Sequence, residues 1–271
     1  MLYDHIQEAV EYIRLYTDFA PKYGIVLGTG LGNLTDDMLV ACEIEYRDIP
    51  HFPISTVQSH KGKLVFGYLD GTAVVVMAGR FHYYEGYTAQ QVTFPIRVLR
   101  ALGIDTLFIT NVAGSTNGDI EAGDIVFVSD HINLQPENPL RGENDERLGV
   151  RFPDMKNAYD KSLITKGLEI AGRNDIQAHQ GVYVALQGPN LETPAEYNFL
   201  HRIGGDLVGM STVPEVLVAR HSGLRTMVIS IVSNKCFPLD EIKETTVEDV
   251  IAVATKAEPK MRLIIKALLK N

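Results

Sequence analysis

Residues 72–86 read Thr-Ala-Val-Val-Val-Met-Ala-Gly-Arg-Phe-His-Tyr-Tyr-Glu-Gly, an apolar run that passes into a cluster of polar side chains. The β-branched residues Val74–Val76 predict a strand covered on both faces, as in an α/β sheet. After Gly79 the chain can turn, and Arg80 and His82 then share one face of an extended segment. Because a guanidinium and an imidazole both donate hydrogen bonds to an oxyanion, the segment predicts an anion site at a strand end, with a plain surface salt bridge as the alternative.

A glycine turn upstream is a second candidate for an anion site. The apolar residues 24–28 lead into Gly28-Thr-Gly-Leu-Gly32, where backbone N–H groups can hold a phosphate. The turn is not a P-loop, because no Gly-Lys-Ser/Thr follows, and its spacing is not that of the dinucleotide fingerprint. The turn alone is a weak indication, but the Thr29 hydroxyl can bind the same oxyanion as Arg80.

Length and composition set the class of protein. With 271 residues and 45% hydrophobic content, the chain can bury a substantial α/β core. A net charge of −9 and a pI of 5.4 argue against nucleic acid or an anionic membrane as a partner. Cys42 and Cys236 lack metal-ligand spacing and predict buried thiols in a reducing compartment. The polar N-terminal helix and the lack of a membrane-length apolar run predict a cytoplasmic protein.

Strand and helix patterns alternate along the chain. Helices are predicted over 4–18, 88–102, 158–172, 194–203, 213–222 and 246–269. Strands are predicted over 24–28, 63–69, 72–78, 106–111, 125–129, 181–187, 207–210 and 227–233. Asp70-Gly71 is a hairpin signal between two of these strands. Without a linker or a repeat, the pattern predicts a single domain over 1–271, of the α/β class, with a mixed sheet flanked by helices.

Several predicted strands end just before a helix start. Thr-x-x-Glu or Thr-x-x-Gln patterns predict capping boxes at Thr88, Thr193, Thr212 and Thr245. In open α/β sheets, ligands bind at the carboxyl ends of strands near helix N-termini, so polar residues there can converge on one pocket. Glu192, directly before the Thr193 cap, is either a ligand-binding acid or simply a charge favoured at a helix N-terminus. Ser211 lacks the Gly-x-Ser-x-Gly elbow of serine hydrolases.

Several segments carry a resemblance to one known family. They are Gly28-Thr-Gly-Leu-Gly32, Gly79-Arg-Phe-His-Tyr-Tyr-Glu-Gly-Tyr87, Thr110-Asn-Val-Ala-Gly114, Gly188-Pro-Asn-Leu-Glu-Thr193, Gly209-Met-Ser-Thr-Val-Pro-Glu215 and Ser233-Asn-Lys235. Their order resembles that of the trimeric purine nucleoside phosphorylases, a family that includes methylthioadenosine phosphorylases, and the resemblance extends from near Ala20 to the last helix. It implies a nucleoside phosphorylase fold, a homotrimer, and cleavage of purine nucleosides by phosphate to free base and pentose 1-phosphate in purine salvage.

The resemblance also implies a role for individual residues. The family's phosphate site falls on Thr29, His60, Arg80, His82, Ser211 and the backbone of Ala113. Its pentose and purine contacts fall on Tyr84, Met210, Tyr183, Val208, Glu192 and Asn234. Glu85 would orient His82, and Phe152 resembles an aromatic that enters the neighbouring subunit's pocket. Glu192, Asn234 and His82 are the residues expected to act in catalysis.

The chemistry of these residues suits phosphorolysis without a metal or an organic cofactor, with inorganic phosphate as co-substrate. Glu192 can accept the N1–H of a 6-oxopurine, and Asn234 can donate to O6 as negative charge builds on the departing base. Inosine and guanosine, as ribo- or deoxyribonucleosides, are therefore the expected substrates.

Two positions depart from the family pattern. Leu191 stands where some members have an aromatic beside the base, and Val247 aligns with a histidine near the 5′-hydroxyl. A phosphorylase of methylthioadenosine or another 5′-modified nucleoside therefore stays open as an alternative. A non-catalytic nucleoside-binding paralogue is a further alternative, although the anion-binding residues are intact.

Overall fold

The computed structural model describes residues 1–56 and 61–270. Its α-helices are α1 (Leu2–Arg14), α2 (Ala89–Ala101), α3 (Lys161–Arg173), α4 (Pro194–Arg202), α5 (Val213–His221) and α6 (Val247–Leu269). Its strands are β1 (Tyr23–Val26), β2 (Leu39–Glu45), β3 (Lys63–Leu69), β4 (Thr72–Ala78), β5 (Thr106–Ser115), β6 (Ile125–Asn133), β7 (Ala178–Ala185), β8 (Leu207–Gly209) and β9 (Arg225–Lys235).

The strands form one mixed sheet in the order β2-β3-β4-β1-β5-β8-β7-β6-β9, and β9 also pairs with β5. This last pairing closes β5, β8, β7, β6 and β9 into a barrel, while β1, β4, β3 and β2 extend from the other side of β5. Helix α2 packs against α1 and α5, and α6 packs against β9 and α3. The predicted class, α/β with a mixed sheet flanked by helices, is confirmed.

The predicted hairpin of β3 and β4 is present. Its turn is made by Asp70 and Gly71, whose φ angles of 49° and 84° are the left-handed values that a two-residue hairpin turn requires. Strand β4 lies between β3 and β1, and Val74–Val76 are fully buried, as predicted for a strand covered on both faces. The chain then leaves the sheet at Gly79 in a left-handed conformation, with φ 113°.

Strand β2 was not predicted from the sequence pattern. Apolar and polar residues do not alternate along β2 as they do in a half-buried strand. The adjacent apolar residues Leu39 and Val40 are 74% and 42% exposed. It pairs with β3 along the outer side of the sheet, and its register shifts between Val40 and Cys42, which marks a bulge. Glu43 and Glu45 place carboxylates on the same strand.

The helix starts agree only partly with the predicted caps. The hydroxyls of Thr88 and Thr193 accept backbone hydrogen bonds as predicted. Helix α6 is capped by Thr246 instead of Thr245, so this box lies one residue further along the chain. Thr212 makes no side-chain cap at α5. Within the two described stretches, no helix is both long and apolar enough to cross a membrane.

Strand direction brings several of the predicted site residues to one edge of the sheet. Strand β1 runs parallel to β4 and β5, and β5 runs parallel to β9. The carboxyl ends of these strands therefore meet, and they carry Gly28, Arg80, Ala113 and Asn234. Strand β8 lies at the same edge of the sheet, because Val208 pairs with Gly114 near the carboxyl end of β5.

Candidate active site

Among the described residues of the predicted phosphate site, Arg80 is the most deeply buried, with 1% of its surface exposed. Its Nη1 donates a hydrogen bond to Ser211 Oγ at 3.2 Å, and its Nε lies 3.2 Å from Glu215 Oε1. Burial raises the pKa of Glu215, and the guanidinium opposes that rise. A buried ion pair therefore holds the guanidinium beside Ser211, 131 positions further along the chain.

Ser211 and Thr212 form an unusual turn between β8 and α5. Thr212 has φ 73° and ψ −57°, and the Val213 N–H donates to the Ser211 carbonyl at 2.8 Å, which closes a γ-turn. A β-branched residue in this region is strained, so the surrounding contacts must hold it there. Asn111 Nδ2 donates to Thr212 Oγ1 at 2.9 Å, and the Ser211 hydroxyl lies 3.0 Å from the same oxygen. These contacts fix the Ser211 hydroxyl towards Arg80.

His82 is oriented by Glu85. Glu85 Oε1 accepts from His82 Nδ1 at 2.9 Å and from the His82 backbone N–H at 2.8 Å, while Oε2 accepts from the Thr56 N–H at 2.9 Å. Burial opposes ionisation of Glu85, but these hydrogen bonds outweigh it and lower its pKa to about 2. Burial also lowers the pKa of His82. With Nδ1 bonded to the carboxylate, a ligand of His82 would have to be contacted through Nε2. Tyr84 stacks on the imidazole at 4.6 Å.

The glycine turn after β1 lies beside this cluster at the edge of the sheet. The Gly28 N–H donates to Thr110 Oγ1 at 3.2 Å, and Gly30 has φ 72°. Thr29 is half-buried between them. His60 lies outside the described residues, so its expected place in the phosphate site stays a prediction.

The residues expected to face the base come from β7, β8, β9 and the loop before α4. Tyr183 is fully buried, and its hydroxyl fills the space where a Cβ on Gly209 would lie. A Cβ on Gly188 would likewise overlap the Met210 sulfur, and Gly188 has a left-handed φ of 69° that favours glycine. Glu192 is half-buried; burial raises its pKa, and the hydroxyl of Tyr197 opposes that rise.

Asn234 is held by its chain neighbours. The Ser233 hydroxyl donates to Oδ1 at 2.6 Å, and Nδ2 donates to Cys236 Sγ at 3.2 Å. Asn234 pairs with Gly114 of β5, and a Cβ on that glycine would lie 2.7 Å from Cys236 Sγ. The glycine thus leaves room for the thiol that fixes the amide.

Phe152 stands apart from this cluster. Its side chain is 86% exposed, and the Arg151 guanidinium lies 5.6 Å from its ring. The backbone around it is nevertheless held, because Arg220 Nε donates to the Asp154 carbonyl at 2.9 Å. On the other side, Gly149 fits against the His221 carbonyl so closely that a Cβ would overlap it.

Sequence analysis missed several residues of this site. Glu215 was predicted only as part of a capping box at α5; its carboxylate also pairs with Arg80, and no local sequence signal indicated that ion pair. Asn111 lies within a segment that carries the family resemblance, but its bond to Thr212 depends on the tertiary fold. Tyr197 and Cys236 were likewise not singled out as neighbours of the base-facing residues.

The sequence matches the family model of the phosphorylase superfamily over residues 22–270. The chain therefore belongs to the phosphorylase superfamily.

Individual relatives narrow this class. The chain is 47% identical to purine nucleoside phosphorylase 1 of Geobacillus stearothermophilus, over 98% of this chain and 97% of that protein. It is 44% identical to the purine nucleoside phosphorylase of Bos taurus, over 99% and 95%. The resemblance to purine nucleoside phosphorylases, and with it the assignment to an enzyme family, is confirmed.

Solved structures agree with this placement. Isoform 2 of the Schistosoma mansoni purine nucleoside phosphorylase, in complex with cytosine and ribose-1-phosphate, superposes with a TM-score of 0.94 at 40% identity, covering 99% of this chain and 96% of that one. A schistosoma purine nucleoside phosphorylase in complex with hypoxanthine gives 0.92 at 38% identity, covering 99% and 97%.

Proposed function

We propose that this protein catalyses the reversible phosphorolysis of 6-oxopurine nucleosides, releasing the base and (deoxy)ribose 1-phosphate. The observation that carries the proposal is the buried Arg80 guanidinium, which donates to Ser211 beside the Glu85-oriented His82. The names of the relatives and the ribose-1-phosphate complex of the structural neighbour support the same reaction. Inosine, guanosine and their deoxy forms are the proposed substrates, in purine salvage in the cytoplasm.

The phosphate side supplies the nucleophile. Glycoside hydrolysis ordinarily uses two carboxylates, one as acid and one as nucleophile or base; here a bound phosphate takes the second part. Arg80, Ser211, Thr29 and His82 would hold it, together with the backbone of Ala113. Fixing phosphate and nucleoside in one site can lower the barrier by roughly 7–11 kcal/mol at best. Inorganic phosphate is thus the co-substrate, and these steps call for no metal or organic cofactor.

The base side stabilises the leaving group. Glu192 accepts the N1–H of a 6-oxopurine, and the Asn234 amide donates to O6 while charge develops on the purine. Adenine instead presents an unprotonated N1 to Glu192 and an amino group to the amide donor. Sites built for one hydrogen-bond pattern can reject the other by up to about 10⁴–10⁵-fold.

The second subunit of a homotrimer would complete the pocket. Phe152 is 86% exposed on a loop whose backbone is anchored on both sides, by Arg220 and by His221. An anchored but exposed aromatic is suited to contact with another chain. The proposal therefore includes a nucleoside pocket that Phe152 of a neighbouring copy helps to close.

A second candidate function is phosphorolysis of 5′-modified nucleosides such as methylthioadenosine. The observation in its favour is Val247, the first residue of α6, which is 65% exposed and offers no hydrogen bond to a 5′-hydroxyl. Asn234 favours the 6-oxopurine assignment, because an acid at this position is the pattern that resembles the methylthioadenosine branch.

One assay separates these functions. Base release from inosine, adenosine and methylthioadenosine is measured with phosphate and in phosphate-free buffer. We expect rapid, phosphate-dependent release from inosine and slow release from the two 6-aminopurine nucleosides. Equal release without phosphate would contradict phosphorolysis, and comparable kcat/KM for inosine and methylthioadenosine would favour the second candidate.

A further inference from the structure

Helix α6 carries a buried carboxylate that the proposed reaction does not use. Glu258 lies in the middle of the helix, and only 1% of it is exposed. Its Oε1 accepts from the Asn33 backbone N–H at 2.9 Å, and its Oε2 accepts from Asn33 Nδ2 at 2.6 Å. Arg262, one turn further along α6, forms its ion pair with Asp37 instead. A buried carboxylate is costly unless donors hold it, so the segment that Glu258 binds indicates its role.

The glycine turn after β1 is a β-turn with Thr29 at its centre. The Leu31 N–H donates to the Gly28 carbonyl at 3.2 Å, and Gly30 has the left-handed φ of 72° that the third residue of a type II turn requires. The entrance of the turn is fixed to β5, because the Gly28 N–H donates to Thr110 Oγ1 at 3.2 Å. The position of the Thr29 side chain therefore depends on how the exit of the turn is fixed.

Helix α6 fixes that exit. A 3₁₀-helix, Gly32–Asp37, follows the turn directly, and Glu258 binds Asn33 near its start. Ala254 lies four residues before Glu258 and so on the same face of α6. It packs on the turn itself, since a Cβ on Gly30 would lie 3.1 Å from the Ala254 Cβ. The turn and α6 are thus joined at two points, one apolar and one hydrogen-bonded.

We propose that Glu258 is a positioning residue for phosphate, which holds the exit of the turn through Asn33 and so determines where the Thr29 hydroxyl lies. The inference rests on the proposed function, since it takes Thr29 as one of the phosphate ligands. In this arrangement Glu258 does not touch the anion. It acts through the turn that does.

Charge and position predict opposite effects for Glu258→Gln. Removing a negative charge from the neighbourhood of an anion site would strengthen phosphate binding if charge alone mattered. The glutamine amide, however, has one acceptor oxygen and turns its NH₂ group towards a donor of Asn33. We expect KM for phosphate to rise by about three- to tenfold, the range of one neutral hydrogen bond, while KM for inosine stays the same. Tighter phosphate binding would overturn the proposal.

Exchanging the two side chains should restore the contact. In the double variant Glu258→Gln with Asn33→Asp, the glutamine Nε2 can donate to the new carboxylate while its oxygen accepts the backbone N–H, and the net charge is unchanged. We expect KM for phosphate to return towards that of the unmodified protein. Asn33→Asp alone places two carboxylates together and should raise KM most. The exchange also keeps the test open if Glu258→Gln folds poorly, and a folded exchange variant without recovery would contradict the positioning role.

A double-mutant cycle shows whether the effect passes through Thr29. Thr29→Val removes the hydroxyl and keeps a branched side chain of similar shape. If Glu258 acts through that hydroxyl, Glu258→Gln adds little to KM for phosphate once Thr29 is valine. If the two effects multiply instead, Glu258 does not act through Thr29 and the proposal is wrong.

Asp37→Asn is the matched control, because Asp37 joins the far end of the same 3₁₀-helix to α6 through Arg262 and Lys266. It is expected to lower the melting temperature and leave KM for phosphate unchanged. An equal rise in KM in this variant would reduce Glu258 to a structural part.

A lack of base release from inosine by the unmodified protein would contradict the proposed function instead. Calorimetric titration with inorganic phosphate then tests the same variants without turnover. Weaker binding in Glu258→Gln than in Asp37→Asn would support the positioning role. Equal affinities, or no binding by the unmodified protein, would overturn it.

Discussion

On the phosphate side of the site, Arg80 and Glu215 are almost wholly buried and paired with each other, whereas on the base side Glu192 and Asn234 are half-buried and contact neutral groups. The first side holds its charge in place through an ion pair and a strained turn at Thr212. The second fixes a hydrogen-bond pattern through a hydroxyl and a thiol. Under the proposed function, charge would hold the phosphate, and the pattern of hydrogen-bond donors and acceptors would select the purine.

The strongest test of the phosphate side is Arg80→Ala. Loss of two charge-assisted hydrogen bonds, at roughly 1.5–3 kcal/mol each, predicts a fall in kcat/KM for phosphate of about 10³-fold. The substitution also leaves Glu215 buried and unpaired, which costs about 3–5 kcal/mol of stability. Steady-state kinetics at varied phosphate, with melting curves, measure both effects.

Arg225→Ala is the control for removing a cation, because Arg225 begins β9, at the opposite end of that strand from Asn234, and pairs with Asp160. It is expected to leave the phosphate dependence unchanged. An unaltered KM for phosphate in Arg80→Ala would show that the comparison between the two sides is mistaken.

The base side is tested by changing the pattern of donors and acceptors. Glu192→Ala is expected to lower kcat/KM for inosine by about 10²-fold, because the N1–H then lacks its charged acceptor. Asn234→Asp replaces the donor to O6 with an acceptor and is expected to shift preference towards 6-aminopurine nucleosides. The ratio of kcat/KM for inosine and adenosine measures both.

Glu196→Gln is the control, because it removes a carboxylate from the first turn of α4 and keeps a side chain that can cap the helix. It is expected to leave the ratio of kcat/KM for inosine and adenosine unchanged. Comparable use of adenosine and inosine by the unmodified protein would overturn the base assignment and make Val247 the better guide to substrate.

A smaller effect is expected from Phe152→Ala. If the aromatic closes a neighbour's pocket, its loss raises KM for inosine by about tenfold, in keeping with about 1–2 kcal/mol for one exposed aromatic contact. The fold is expected to persist, since the ring is exposed within its own chain. Val150→Ala, on the same loop and 64% exposed, is the matched control. A fully active monomer in sedimentation at assay concentration would argue against shared pockets.

The smallest effect concerns the 5′ end of the sugar. Because Val247 offers no hydrogen bond, 5′-deoxyinosine is expected to lose less in kcat/KM than the roughly 1–3 kcal/mol that accompanies an unpaired buried partner. Competition kinetics of inosine against 5′-deoxyinosine measure the difference. A large loss would mean that another group binds the 5′-hydroxyl.

Local patterns predicted the parts of this molecule that depend on local physics. Asp70-Gly71 identified the hairpin, and the run Val74–Val76 identified a strand buried on both faces. Strand β2 escaped because its exposed Leu39 and Val40 break the alternation that marks a half-buried strand.

The site residues show the same difference between local patterns, which the sequence reveals, and tertiary contacts, which it does not. Arg80 and His82 lie together in sequence and were found from it, whereas Glu215 was predicted as a cap because its ion pair spans distant segments. The left-handed Thr212 could not be foreseen from residue preference, since threonine disfavours that conformation. Tertiary contacts of Asn111 and Ser211 hold it there.

The bulged outer strand β2 also bears on how copies of this protein avoid one another. Pairing of β9 with both β6 and β5 closes the barrel half of the sheet, so within the described residues β2 is where backbone groups stay open to another strand. An open strand is a template for edge-to-edge aggregation. The shift between Val40 and Cys42 interrupts that template, and Glu43 and Glu45 place charged side chains along it, with Glu43 paired to Lys63 of β3. Removing the bulge and both carboxylates is therefore expected to promote edge-to-edge aggregation through β2.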